Sequence, residues 1–555
     1  MRLRRKNSDF LEVDEIFLDS YNSPGYNREN FEGSLEEPIK KNVFLYVGLV
    51  FFIAGFVFLL RIFFLQVYEG DKYFARGEYN HLRTVSLSPA RGIIYDREGN
   101  ILAGNNFFGF TEEIKWVRRY PTYGFLHVLG FLSRSGEVKG VSGVEAHYDD
   151  ILKGTPGTFI EEVDAKGNVI DSGISVKSSP GMNLKTNLSR DLQIKLSESI
   201  AAAAKAHGFS GGAGVFIDVR DGGILALSSS PEFDPNVLLS KPSQNTLSEL
   251  ISDPGKPFFN RAIAGLYPAG SIIKPAIASA ALNEDIIDPS KQIFSSGVLI
   301  VPNPYDPSKP SRFLDWKAHG WVDMREALAM SSNVYFYTIG GGFEGQKGLG
   351  VSLINKYLAL YGWGSPTGVD LPGEGKGNLP DTDPEKLGGR RWNVGDTYNL
   401  SIGQGFLQVT PLQMAAYVAA IASDGVLKVP HVGKEVLDEN NKVVKNIEPE
   451  IVRTDIVPKE DLAVVKAGMR DAVLYGTAKG LSGLPVEVAA KTGTAEIGKT
   501  GRVDSWSIGF FPYEKPKVAF AVLMENGSEH NLVGATFVTS EVLRWMTATD
   551  WLTKL

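Results

Sequence analysis

The chain has 555 residues, 43% hydrophobic and 22% charged, which places it among globular proteins with room for several domains. A formal net charge of −7 gives no basic signature, so nucleic acid is not expected as a partner. There is no cysteine, which excludes disulfides, a thiol nucleophile and thiolate metal sites. The seven histidines lie scattered, without H-E-x-x-H or paired spacing, so a metal site is not expected.

Residues 1–41 are polar with no periodic apolar face and read as a disordered cytoplasmic tail. Residues 42–67 form the candidate transmembrane anchor. Val43 to Leu60 carries no charge, and Ile62-Phe63-Phe64-Leu65-Gln66-Val67 continues the run beyond Arg61. As a helix it is long enough for a bilayer core of about 30 Å. Lys40 and Lys41 precede it and Glu69 and Asp71 follow, so the positive-inside rule predicts a cytoplasmic N-terminus and everything after about residue 68 outside. A cleaved leader is not expected, because no small-x-small site follows the span.

Residues 68–185 read as a small, β-rich pedestal or dimerisation-like domain, with short strand-like pieces punctuated by glycine. Arg91-Gly92-Ile93-Ile94-Tyr95-Asp96, a turn at Arg97 to Asn100, and Ile101-Leu102-Ala103 predict a hairpin. From residue 186 to 555 the texture changes. A helix is predicted from Asp191 to Ala206, and strands over 213–218 and 223–227 meet at Arg220-Asp221-Gly222. A proline-rich loop is expected from Asp288 to Asp315, then a helix from Val322 to Met330. Thr410-Pro411 starts another helix, two late strands cover 506–511 and 518–524, and a last helix begins near Thr539. Helices enclosed between strands that close late in the chain predict an α/β sandwich around an antiparallel sheet.

Three short motifs lie within this last region. Ser271-Ile272-Ile273-Lys274 precedes Pro275 and a run of small apolar residues, which puts the serine at a helix start and the lysine one turn on, on the same face. A serine so placed can be a nucleophile, and a neutral lysine can take its proton. Alone, the spacing describes a helix cap and a solvated lysine equally well. Ser331-Ser332-Asn333 follows a predicted helix, where Ser and Asn also favour simple turns. Lys491-Thr492-Gly493-Thr494 follows the strand-like Val486 to Ala490.

In this order and context the three motifs resemble those of penicillin-binding proteins and serine β-lactamases. The segments Gly140 to Glu145, Asn260-Arg261-Ala262, Tyr267 to Gly270, Glu326-Ala327-Leu328, Thr367 to Asp370 and Ser401 to Gly405 are similar to class B penicillin-binding proteins. Trp316 to Val322 and Gly395 to Leu400 most resemble the elongation-type subgroup. The resemblance covers roughly residues 43–550. It implies a penicillin-binding, β-lactamase-like transpeptidase domain above the pedestal and the single membrane helix. It also implies a peptidoglycan D,D-transpeptidase that cross-links stem peptides through a serine acyl-enzyme and is acylated by β-lactams. By the same resemblance Ser271 is the nucleophile, Lys274 its base, with a pKa lowered by burial and by Lys491, and Ser331 the proton relay. Asn333 holds the substrate amide, Thr492 and Thr494 bind the terminal carboxylate beside Gly493, and the N–H groups of Ser271 and Thr494 form the oxyanion hole. The resemblance implies chemistry that needs no cofactor, and a SEDS-type glycan polymerase as membrane partner.

Within the same fold a division-type transpeptidase, a D,D-carboxypeptidase and a non-enzymatic penicillin sensor remain as alternatives. A further match, Gly493-x-x-x-x-Gly498-Lys499-Thr500, has the form of a phosphate-binding loop, but a strand rather than a helix is predicted after it, so nucleotide binding is not expected.

Overall fold

The computed structural model describes residues 40–108, 115–133, 138–164, 168–240, 242–303, 306–498 and 500–554. Except for its last two residues, the tail expected to be disordered lies outside the described residues. The chain divides into two compact units, residues 1–85 with 159–174, and residues 86–158 with 175–555.

In the first unit a helix spans Lys41–Phe63 and continues as a π-helical turn over Phe64–Tyr68. It is the one helix among the described residues long and apolar enough to cross a membrane, and none of its apolar window is buried against protein. Its side chains are apolar on every side, so no face is set aside for a protein core. The unit also holds strands of a three-stranded sheet ordered Leu82–Leu87, Gly157–Val163, Val169–Val176.

The second unit contains two main sheets. The expected hairpin forms between Ile94–Tyr95 and Ile101–Phe108, because Asp96 Oδ1 accepts from the N–H groups of Glu98 and Asn100 at 3.0 and 2.7 Å. These strands belong to a six-stranded sheet in which Ile94–Tyr95 pairs in parallel with Asn183–Thr186. Beside them Glu145, with a fully buried side chain, takes Arg91 Nε at 2.7 Å and Arg118 Nε at 2.6 Å.

The second sheet is entirely antiparallel. Its strands are β1 (Gly211–Asp218), β2 (Ile224–Ser230), β3 (Ala489–Glu496), β4 (Arg502–Phe511) and β5 (Val518–Ser528), ordered β3-β4-β5-β1-β2. Side chains alternate between its faces. Phe216, Phe520 and Val522 join one core with Leu192, Leu196 and Ile200 of α1 (Arg190–His207) and Val538 and Val542 of the C-terminal helix Ala535–Ala548. Val215, Ile217, Ala519 and Ala521 join the other core, with Ile277 of α2 (Lys274–Asn283) and with Met414, Tyr417 and Val418 of the helix Pro411–Ala422. Leu192, Leu196 and Ile200 recur at every fourth residue, and each, fully buried, contributes about 1.5–3 kcal/mol. Helices thus cover both faces of the sheet, as the α/β reading expected.

Two local expectations change. The proline-rich stretch from 288 to 315 carries strands at Ile293–Ser295, Val298–Val301 and Ser311–Leu314, whose hydrogen bonds come from antiparallel partners. The helix expected from Val322 begins at Met324, capped by the reciprocal pair Asp323 and Glu326, while Val322 ends a strand. The phosphate-loop match is followed by a strand, as expected: Gly493 to Glu496 lie within β3, and the next element is β4.

Candidate active site

Ser271 sits in a 3₁₀ turn over Gly270–Ile273 that leads directly into α2, so Lys274 is the first α-helical residue and Pro275 falls where no N–H is needed. Three neighbours hold the turn. Tyr267 exchanges backbone hydrogen bonds with Val409 at 3.0 and 2.9 Å, and Trp506 Nε1 of β4 donates to Pro268 O at 3.0 Å. Gly270 N donates to Gly403 O at 2.9 Å. Gly403 has φ +76°, and a Cβ there would lie 2.1 Å from Gly270 O, so only glycine allows this approach. On the other side β3 passes close by, since a Cβ at Gly493 would meet Ile272 Cγ2 at 3.0 Å.

Ser331 and Asn333 flank a bend between two helices, α3 (Met324–Met330) and α4 (Asn333–Gly341). Ser331 adopts the left-handed conformation, φ 57°, that ends α3, and Ser332 caps α4 by accepting from Tyr335 N. Lys491 enters from β3. Two lysine side chains, both fully buried, meet here. Lys274 Nζ donates to Ser331 O at 2.8 Å, Ser331 Oγ at 3.2 Å and Asn333 Oδ1 at 2.7 Å. Lys491 Nζ donates to Ser331 Oγ at 2.9 Å and Thr492 O at 2.8 Å.

Burial drives the lysine electrostatics. It pulls Lys274 down to about 7, against the opposing pull of the Asp315 carboxylate. Lys491 is held well below the ordinary lysine range by burial first and then by the Lys274 charge. Of the two causes expected from sequence, burial is the larger for Lys274, Asp315 opposes it, and the charge coupling of the two lysines is expressed in the lowering of Lys491.

The remaining predicted residues line the same cleft, of about 1170 Å³, with Ser271, Ser331 and Asn333. Thr492 is half-buried and its hydroxyl is held by Thr477 Oγ1 at 2.8 Å, while Thr494 is exposed to the cleft. Asn333 Nδ2 donates to Leu314 O at 3.3 Å, which turns the amide oxygen toward Lys274. The structure therefore brings together all eight predicted residues. Asn399, in the helix Val394–Ser401, and Gln404 just beyond it also line the cleft, and Gln404 N donates to Asn399 O at 3.0 Å.

Sequence reasoning missed Asp315, Thr477 and the role of Gly403. Only the S-I-G-Q-G run containing Gly403 carried a visible signal.

The arrangement supplies a serine at a helix start, a buried lysine near neutrality, a shared hydroxyl and an edge strand that can pair with an extended peptide. The family model described as "Penicillin binding protein transpeptidase domain" matches residues 212–543, and that of the "Penicillin-binding Protein dimerisation domain" matches 105–186. The chain is 30% identical to the peptidoglycan D,D-transpeptidase MrdA of Acinetobacter baumannii, over 87% of this chain and 85% of that one. Pseudomonas aeruginosa PBP2, solved in complex with WCK 5153, superposes with a TM-score of 0.69 at 28% identity, covering 84% of this chain and 97% of that chain. A chain of a peptidoglycan synthase complex, solved in a study of coordinated polymerization and crosslinking, gives 0.70 at 26% identity, with coverage of 92% and 98%. The three ordered motifs, the antiparallel sheet they border and these matches agree: the chain belongs to the penicillin-binding protein transpeptidase family.

Proposed function

We propose that the chain is a membrane-anchored, elongation-type peptidoglycan D,D-transpeptidase with the site residues in the following roles. Ser271 Oγ attacks the carbonyl between the two terminal D-alanines of a stem peptide while neutral Lys274 takes its proton. The N–H groups of Ser271 and Thr494 stabilise the oxyanion. Ser331, contacted by both lysines, passes a proton to the departing D-alanine amine as the peptide bond breaks and an ester forms on Ser271. Thr492, Thr494 and the positive potential of Lys491 receive the terminal carboxylate, and Asn333 holds the peptide amide. An amine of a neighbouring stem peptide then attacks the ester, forming the cross-link amide and returning the proton to Ser271 Oγ. A β-lactam, whose strained amide mimics the scissile bond, stops at the acyl-enzyme. The observation that carries this reading is the convergence of two buried lysines on Ser331 beside Ser271.

The MrdA relatives favour the elongation type over the division type. A SEDS-type polymerase is proposed as partner because a structural neighbour belongs to a complex studied for coordinated polymerization and crosslinking. Lys40 and Lys41 before the apolar helix support a cytoplasmic N-terminus and a catalytic domain outside.

Mass analysis after incubation with a labelled penicillin is expected to show one adduct, lost in Ser271→Ala; an adduct on the variant overturns the nucleophile. Nascent peptidoglycan should yield cross-linked dimers, whereas free D-alanine without dimers would mean a carboxypeptidase. Depletion in cells should cause rounding; filamentation would indicate division.

A further inference from the structure

The run that begins at Trp316 is preceded by an aspartate that the catalytic scheme does not use. Asp315 follows the strand Ser311–Leu314, and its side chain is fully buried. A buried carboxylate is tolerated only where donors surround it. Oδ2 accepts from Ser332 Oγ at 2.9 Å, Val334 N at 3.0 Å and Ser295 Oγ at 3.1 Å, and Oδ1 accepts from Trp316 N at 2.9 Å. Ser332 and Val334 alternate with Ser331 and Asn333, so the carboxylate grips the bend through the residues between and beyond the two that touch Lys274. The preceding residue adds a second hold, because Leu314 O accepts from Asn333 Nδ2. The bend needs fixing, since Ser331 is in the left-handed conformation that a non-glycine residue seldom adopts unaided.

Resting on the transpeptidase reading, we propose that Asp315 is the positioning residue of this site, fixing the Ser331–Asn333 bend and serving as the counter-charge of Lys274. The groups facing Lys274 are Lys491 from β3, Ser331 and Asn333 from the bend, and the Phe336 ring of α4, 5.4 Å from Nζ. His319 Nε2 lies 3.5 Å from Asp315 Oδ1, and burial keeps that imidazole below its ordinary pKa, with Lys317 adding to the shift and Asp315 opposing it. Asp315 is therefore the one carboxylate acting on Lys274 among the described residues. Burial opposes ionisation of Asp315, but the N–H groups of Asn333 and Val334, Lys274 and Ser332 together hold it below the ordinary aspartate range.

The test uses the full-length protein in detergent, with acylation by a labelled penicillin measured between about pH 5 and 9, on either side of a lysine near neutrality. Asp315→Ala should slow acylation about a hundredfold, the scale of a misplaced catalytic group. Asp315→Asn keeps an acceptor but removes the charge, so the rising limb of the pH–rate profile should move down by about one unit, whereas Asp315→Glu should leave it in place. A purely structural role would lower the rate without moving the limb. Titration of the Lys274 Nζ by nitrogen NMR should show the same downward move whether or not an adduct forms. An Asp315→Asn limb and Nζ titration that match wild type overturn the proposal, as does a folded Asp315→Ala that acylates at the wild-type rate. A wild type that forms no adduct would instead sink the transpeptidase reading, and the NMR titration would still decide the role of Asp315.

Discussion

Lys274 and Lys491 donate to the same atom, Ser331 Oγ, at 3.2 and 2.9 Å, and both side chains are fully buried. Two ammonium groups so close in a desolvated site repel each other strongly, so the pair favours states in which at least one is neutral. A hydroxyl that accepts from both can still donate its own proton, which makes Ser331 a natural conduit between them.

The first prediction concerns the pH dependence of acylation. Lys274 acts as base in its neutral form, and its pKa is pulled down to about 7. The rate should therefore rise with pH through about 7 and level off above it. Lys274→Arg keeps the charge but cannot lose a proton, so it should form adduct at least a hundredfold more slowly, on the order of a lost general base. A flat profile, or normal acylation by this variant, removes Lys274 from the role of base and leaves Ser271 as nucleophile untouched.

Gly403→Ala tests how the nucleophile turn is held. The new Cβ would lie 2.1 Å from Gly270 O in a residue with φ +76°. Backbone must shift at the turn that carries Ser271, at a cost on the order of 3 kcal/mol. The expected result is a lower melting temperature together with a loss of acylation by the fraction that remains folded. An adduct formed at the wild-type rate would mean that the turn tolerates the movement.

Local chemistry was legible from sequence and contacts between distant segments were not. Ser271 and Lys274 are one helical turn apart, so their shared face follows from spacing alone, and Pro275 marks the helix start. The strands of the second sheet were visible as apolar runs bounded by turn residues. Asp315 gave no such signal: it closes a proline-rich stretch, and its meaning depends on the bend at Ser332, which folds back against it. Thr477 likewise matters only because the fold brings its hydroxyl against that of Thr492. Strands at 293–301 and 311–314 were hidden because their pairing, not their composition, makes them strands.

A third prediction addresses stability away from the cleft. Glu145 is fully buried and holds both Arg91 and Arg118. Glu145→Ala leaves two guanidinium groups without their shared partner and should cost about 3–5 kcal/mol. Denaturant unfolding should show the loss, while penicillin acylation per folded molecule stays unchanged. A stability within about 1 kcal/mol of wild type would show that water replaces the carboxylate at little cost.

The last prediction is a pH-dependent stability change at Glu232. Burial pushes its carboxyl up to about 7, although Ser197 Oγ and Leu126 N both donate to it, at 2.8 and 3.1 Å. The folded-state pKa is thus above the unfolded value, so the folded state binds the extra proton between the two. The stability this contributes is complete below the unfolded pKa and is lost as pH rises through about 7. Glu232→Gln stays neutral and keeps an oxygen acceptor, so it should match wild type at acid pH and exceed it above pH 7, by up to about 2 kcal/mol. Melting curves at both ends of the range check this. A variant less stable than wild type in alkali would mean that the ionised carboxylate is better satisfied by Ser197 and Leu126 than burial allows.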